Sequence, residues 1–360
     1  MKKKVVFYFV TVMMVIFISI IGGEVMLRVF DKIKGVTPPY THNLPECLAV
    51  PSGYFNFDLQ PSLKVIHDWK NPRVFTINKW GFRAPEYEPV KPKGLTRIFC
   101  FGGSSTFDPY VPDEKTWSYL IGEKLSKKTN HKIESINAGR YGYTTSEILS
   151  LFYHRVLRHD PDLIIIYSTY NDSGIVVSPY YSLDDAPAHY GNPILSFFNK
   201  RSALFAFLNY KLRYSELTSA IYAKIVPYDA YYKKPPIEHE KFVKDEGRAM
   251  GYRLELYKRN LKTIIHIAKD NNVKVLISTQ LTQPNDKRPW RLESVRLITE
   301  AAREIAREEG VPILDFDKMN ITDSQQKTLL QSYVHLTPEG CEFVSDRMVE
   351  AILKNSLIED

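Results

Sequence analysis

Arg97-Ile98-Phe99-Cys100-Phe101-Gly102-Gly103-Ser104 is a short apolar run that breaks on two glycines and a serine. A continuous apolar stretch of this length, closed by turn residues, reads as a strand buried on both faces. The same alternation continues downstream. Asp113 to Lys128 places Trp117, Leu120, Ile121 and Leu125 at helical spacing, with Asp113 in the N-cap position. Residues 132–137 form a weaker strand, Thr144 to Arg158 a helix, and the run from Asp162 to Thr169 (DLIIIYST) the most apolar strand of the chain. Tyr252 to Asp270, 273–279, Arg291 to Glu309, 311–316 and Thr337 to Asn355 continue as helix, strand, helix, strand, helix. Strands spaced by helices in this way predict a three-layer α/β/α domain around a central parallel sheet of about five strands.

Composition is consistent with that reading. The 360 residues are 44% hydrophobic and 25% charged, which excludes collagen-like and low-complexity chains. The net charge of +7 includes three from Lys2, Lys3 and Lys4, and the rest is interleaved with acids, so no nucleic-acid surface is expected. Cys47, Cys100 and Cys341 have no CxxC spacing and form neither a disulfide framework nor a zinc site. Cys100 lies in a strand and Cys341 begins an amphipathic helix, so both read as buried thiols.

Val5 to Ile21 carries no charge, and at 1.5 Å per residue it spans about 26 Å, which Gly22 and Gly23 extend toward the bilayer thickness. Residues 1–4 then form a cytoplasmic tail and 5–23 a membrane anchor, with the remainder outside the cytoplasm. A cleaved leader is the alternative, but no small-residue cleavage site follows, and Val25 to Phe30 continues the helix as an amphipathic stretch. A core helix of a soluble protein is poorly served by the triple-lysine start. Residues 24–60 read as a stalk, 61–96 as lead-in strands, and 97–357 as the main domain. A tyrosine-rich insertion, about 173–251, leaves from the carboxyl end of the third strand and is expected to cap the ligand crevice.

Four polar elements fall where the sheet would place that crevice. Ser104 follows the first strand at a glycine turn, where helix N-terminal N–H groups favour a developing anion. Gly142, in the stretch from Asn137 to Thr144, follows the second strand. Asn171 follows the third, and its amide can donate to an oxyanion. His335 precedes the last helix. Together they supply a nucleophile, a base and backbone or amide donors, the inventory of acyl transfer. Ser105, Thr106 and Asp108 read as turn and cap residues, and Asp315 with Asp317 as solvated acids; no metal or cofactor is expected.

The order Ser104, Gly142, Asn171, His335 resembles that of the SGNH hydrolases, the GDSL-like esterases and lipases, over about Arg97 to Asn355. Asn78-Lys79-Trp80-Gly81-Phe82-Arg83 is similar to the lead-in of membrane-anchored bacterial members. The resemblance implies the flavodoxin-like fold of that family, Ser104 as nucleophile, Gly142 and Asn171 in the oxyanion hole, and His335 as base. Two departures stand out. The nucleophile block reads Gly-Gly-Ser, and Ser332 occupies the position, three before the histidine, where the family carries an aspartate. Either a Ser–His dyad operates with Ser332 or a carbonyl orienting His335, or another acid (Asp172 or Asp323) takes over, or catalysis is feeble. Tyr170 stands where the family's Asn block often begins with glycine, and it narrows the site or contacts a substrate hydroxyl. The expected function is an extracytoplasmic serine esterase. Its expected partner is an ester substrate on an acylated polysaccharide or lipid, with an O-acetyl group of a surface carbohydrate as the expected ester. The alternatives are an O-acyltransferase acting on a glycan and a non-catalytic glycan-binding protein.

Overall fold

The computed structural model describes residues 2–34, 49–50, 58–67, 73–176, 239–283 and 289–358. Cys47, much of the expected stalk and most of the tyrosine-rich insertion lie outside the described residues. The chain divides into two compact units. One comprises Met1–Leu48, Lys64–Pro72 and His189–Pro236, and its described part is chiefly helix α1 (Lys2–Lys34). Within α1, Phe7–Leu27 is long and apolar enough to cross a membrane, and side chains such as Phe9, Phe17 and Ile20 are exposed. The helix runs on through Val25 to Phe30, as the amphipathic pattern predicts.

The other unit comprises Ala49–Leu63, Arg73–Ala188 and Ile237–Asp360 and carries the sheet. Strands β1 (Leu95–Gly102), β2 (Lys132–Asn137), β3 (Leu163–Tyr167), β4 (Lys274–Ser278) and β5 (Ile313–Leu314) are all parallel, in the order β2-β1-β3-β4-β5. Helices α2 (Ser104–Phe107), α3 (Trp117–Thr129), α4 (Thr145–Leu151), α5 (Tyr170–Val176), α6 (His239–Asp270), α7 (Pro289–Glu308), α8 (Asp323–Leu329) and α9 (Pro338–Lys354) connect and cover it. Each strand lies where the apolar runs predict. Every residue of β3 is buried, because in mid-sheet both faces are covered by helices and no position tolerates water.

Side-chain alternation splits the core. Ile98, Cys100, Leu163, Ile165, Tyr167 and Leu276 pack with Trp117, Ile121 and Leu125 of α3 and Val344, Met348 and Ile352 of α9. The intervening residues, among them Phe99, Phe101, Ile164 and Ile166, are equally buried on the opposite face. Cys100 and Cys341 are buried free thiols, as expected.

The strand order decides where a ligand goes. From β1 the chain moves outward to β2, then returns across β1 to β3. The connections after β1 and β3 therefore diverge, and a crevice opens beyond the carboxyl ends of these two strands.

One boundary differs from expectation. Asp113 does not cap α3. Its carboxylate instead accepts from Arg83 Nε at 2.8 Å and from Thr76 N and Oγ1 at 3.0 and 2.8 Å. Thr116 is the N-cap, accepting from Tyr119 N at 3.3 Å. A carboxylate able to satisfy a buried guanidinium gains more there than at a helix end that a threonine hydroxyl serves as well.

Candidate active site

β1 ends at Gly102, and the chain turns at once into the single helical turn α2. Side chains are excluded here. A Cβ on Gly102 would run into the Thr106 side chain and Tyr167 O, and one on Gly103 into the Asn171 amide. With Gly103 as N-cap, Thr106 N and Phe107 N close onto Gly103 O at 3.1 and 3.0 Å. Ser104 is therefore the first residue of the turn, half-buried at the crevice, and its own N–H is among those a helix start leaves unbonded. Asp108 ends the turn in the left-handed region (φ 54°), and its carboxylate accepts the Cys341 thiol at 2.8 Å, tying α2 to the first turn of α9. The reading of Asp108 as a cap residue agrees with this geometry.

His335 arrives on the loop between α8 and α9. Gln331 N bonds His335 O at 2.8 Å, and Leu330 bridges Leu336, so residues 331–335 form a closed turn. Thr337 N is held by Leu329 O at 3.0 Å, and Thr337 Oγ1 caps α9 by accepting from Gly340 N at 3.0 Å. Gly340 packs so tightly that a Cβ there would strike Leu329 O. The turn sets two hydrogen bonds in line. His335 Nε2 lies 2.8 Å from Ser104 Oγ, and His335 Nδ1 lies 2.7 Å from Ser332 Oγ. Tyr110, from the segment after α2, stands edge-on to the imidazole with ring centroids 5.2 Å apart.

The group that the structure places against His335 Nδ1 is the Ser332 hydroxyl, and neither acid named from the sequence is near it. Asp172 is buried and engaged elsewhere, accepting from Thr145 N (2.9 Å), Thr145 Oγ1 (2.7 Å) and Ser168 Oγ (3.1 Å). Asp323 is exposed in the first turn of α8. The electrostatic consequence is plain. Burial pushes the His335 imidazole down to about 4, and no carboxylate among the described residues raises it. The ring is then neutral at pH 7, and an imidazolium formed there would have no counter-charge from a carboxylate among the described residues. A carboxylate at position 332 would only accept and so would fix the proton on Nδ1. A hydroxyl donates as well as accepts, so the contact with Ser332 does not dictate the tautomer of the ring.

Asn171 lies in the first turn of α5, directly after β3. Its Nδ2 donates to Tyr143 O at 2.9 Å and sits against Gly103, the residue before Ser104. Gly142 precedes Tyr143 and has φ of 68°, a left-handed turn that a Cβ would strain. The structure thus brings Ser104, His335 and Ser332 into one hydrogen-bonded line, with the Asn171 amide and the Gly142 turn beside Ser104. Asp172 supports this side of the crevice, since its bonds to Thr145 tie α5 to the start of α4. Burial also raises Asp172 above the usual carboxylate range, and it pushes Glu147, which closes the capping box on Thr144, up to about 7.

Residues 100–343 match the GDSL-like Lipase/Acylhydrolase family. The chain belongs to that family. Among solved structures, this GDSL-like chain is similar to the lipase/acylhydrolase from Enterococcus faecalis (17% identity, TM-score 0.44, covering 72% of this chain and 96% of that one). It is also similar to the acetyl xylan esterase AlAXEase (15%, TM-score 0.43, 71% and 99%). A third is a variant of an acetyl-xylooligosaccharide esterase from Geobacillus Stearmophilus (15%, TM-score 0.43, 71% and 94%). A search of curated proteins finds no match.

Three features of the GDSL-like site escaped the sequence reading. Arg83 is buried and donates to Phe107 O (2.6 Å), Asp108 O (2.5 Å) and Val111 O (2.6 Å), clamping the segment that follows Ser104. Asp58 pairs with the buried Arg140, beside the Gly142 turn, at 3.0 Å, and with Arg155. Both clamps come from sequence upstream of the family match. The third is Gln280, just past β4, whose amide faces the loops after β1 and β3. Its only sequence signal is a polar residue at the carboxyl end of a buried strand. Asp315 and Asp317, read as solvated, both pair with Arg303, at 2.7 and 2.6 Å.

Proposed function

We propose that this chain is a serine esterase in which Ser104 is the nucleophile and His335 the general base. The observation that carries the reading is the 2.8 Å contact between Ser104 Oγ and His335 Nε2 at the carboxyl end of β1, with Nδ1 held by Ser332. In the reaction Ser104 Oγ attacks the ester carbonyl and its proton passes to His335 Nε2. The oxyanion is received by the N–H groups of Ser104 and Gly142 and by the second N–H of the Asn171 amide. As the tetrahedral intermediate collapses, the C–O bond to the alcohol breaks and Nε2 returns the proton to the departing oxygen. Water, deprotonated by the same nitrogen, then releases the acid and restores Ser104.

The substrate proposed is an O-acetyl ester on an extracellular carbohydrate. Supporting it are three half-buried tyrosines, since aromatic rings suit sugar faces: Tyr110, edge-on to His335, Tyr170, next to Asn171 in the chain, and Tyr333, two residues before His335. The N-terminal helix, with Lys2 to Lys4 ahead of its apolar span, supports a single-pass anchor with this unit outside the cytoplasm. The acyl-enzyme also serves transfer to a sugar hydroxyl, and product analysis with an acceptor oligosaccharide separates transfer from hydrolysis. The test of the core reading is labelling with a fluorophosphonate probe. The wild-type protein is expected to carry the adduct on Ser104 and to hydrolyse an acetyl ester, and Ser104→Ala to do neither while remaining folded. An unlabelled, inactive wild-type protein with intact fold overturns the reading and leaves a non-catalytic binding role.

A further inference from the structure

Gln280 lies two residues beyond β4, far in sequence from every reacting group. Its carbonyl oxygen Oε1 accepts three hydrogen bonds, from Thr169 N (3.0 Å), Thr169 Oγ1 (3.1 Å) and Tyr170 N (2.6 Å). Two of these donors are backbone N–H groups, so the orientation of the amide is determined, and Nε2 faces Ser105 Oγ, to which it donates. Thr169 and Tyr170 begin the turn that carries Asn171, and Ser105 follows Ser104. One buried amide, 6% exposed, thus spans the gap between the nucleophile turn and the oxyanion turn.

The residue is itself rigidly held. On one side Thr279 N bonds Leu314 O at 3.0 Å, and on the other Leu281 N bonds the Tyr167 hydroxyl at 3.1 Å. Tyr170 N belongs to the start of α5, where helix N–H groups have no partner within the helix, so Gln280 also caps the helix that presents Asn171. On the far side of α2, Trp117 Nε1 holds Ser105 O at 3.2 Å, so Ser105 is fixed from two directions.

We propose that Gln280 is a positioning residue that sets the separation between the Ser104 hydroxyl and the Asn171 amide, and so the fit of the site to a tetrahedral intermediate. The inference rests on the roles given above to Ser104 and Asn171. A shift of about 1 Å between two catalytic groups costs on the order of 10²-fold in rate, whereas ground-state binding by surrounding loops is little affected. Gln280→Leu removes both the acceptor and the donor at similar volume. Gln280→Glu keeps oxygens facing Thr169 and Tyr170 and lets the Ser105 hydroxyl turn round to donate.

The experiment measures kcat and KM for an acetyl ester, the rate of fluorophosphonate labelling and Tm, all on the full chain. Gln280→Leu is expected to lower kcat and labelling rate together by about 30- to 100-fold with KM within about twofold, and Gln280→Glu to recover most of the loss. Ser105→Ala, which removes only the Nε2 acceptor, is expected to slow labelling by about tenfold, and it carries the test if Gln280→Leu does not fold. A folded Gln280→Leu protein with wild-type kcat and labelling rate overturns the proposal. So does a lower Tm with unchanged kcat per folded molecule, the signature of a merely structural amide, or, where only Ser105→Ala folds, unchanged labelling. Failure of the wild-type protein to label at Ser104 is a different result, and it defeats the underlying esterase reading.

Discussion

Replacing Ser332 by aspartate tests the electrostatics of the site most directly. Ser332 Oγ is 2.7 Å from His335 Nδ1, so a carboxylate there would stand within hydrogen-bond reach of the ring. At a charge separation of about 4 Å and an effective dielectric of about 20, the attraction between carboxylate and imidazolium is about 4 kcal/mol, or roughly three pKa units. Part of this is lost to desolvation of a half-buried carboxylate, leaving a net gain of about 2–3 kcal/mol. His335, held down to about 4 in the native protein, then titrates about two units higher.

Two consequences follow for Ser332→Asp. The proton is confined to Nδ1, leaving Nε2 bare to receive the Ser104 proton. The imidazolium of the proposed mechanism also gains a counter-charge, so kcat is expected to rise by up to about 10²-fold. The assay is the pH dependence of kcat/KM for an acetyl ester. The base must be deprotonated to act, so activity is present above its pKa and falls as pH drops through it. The acid limb is expected near 4 in the wild-type protein and near 6 in Ser332→Asp. An acid limb that does not move, or a folded variant with lower kcat at pH 8, refutes the claim that residue 332 controls the imidazole.

Asn171→Ala removes the proposed oxyanion donor and is expected to lower kcat by about 10²–10³-fold with little change in KM, read from steady-state kinetics. Arg83→Ala leaves three buried carbonyls (Phe107, Asp108 and Val111) without their guanidinium donor and is expected to cost about 3 kcal/mol or more, seen as a lower Tm. Because that clamp holds the segment carrying Tyr110, labelling at Ser104 should slow as well.

Much of this architecture was legible before any coordinates. A strand buried on both faces of a parallel sheet must be apolar throughout, so Ile98 to Phe101 and Leu163 to Tyr167 announce themselves. The glycines before Ser104 mark a turn in which side chains are excluded, and polar residues just past buried strands mark a crevice. All of these are local signals, within reach of one strand or one turn.

What sequence spacing does not encode is which distant groups share a partner. Gln280 meets Ser105 across 175 positions and His335 meets Ser104 across 231, because the order β2-β1-β3-β4-β5 gathers the strand ends. Asp113 shows the same limit. By local rules it caps a helix, yet the buried Arg83 claims its carboxylate. The replacement of aspartate by Ser332 could be read from the chain, but its meaning could not. Only the folded turn shows that, among the described residues, this hydroxyl and no relocated acid faces the imidazole, since hydrogen bonding acts over about 3 Å in space whatever the separation along the chain.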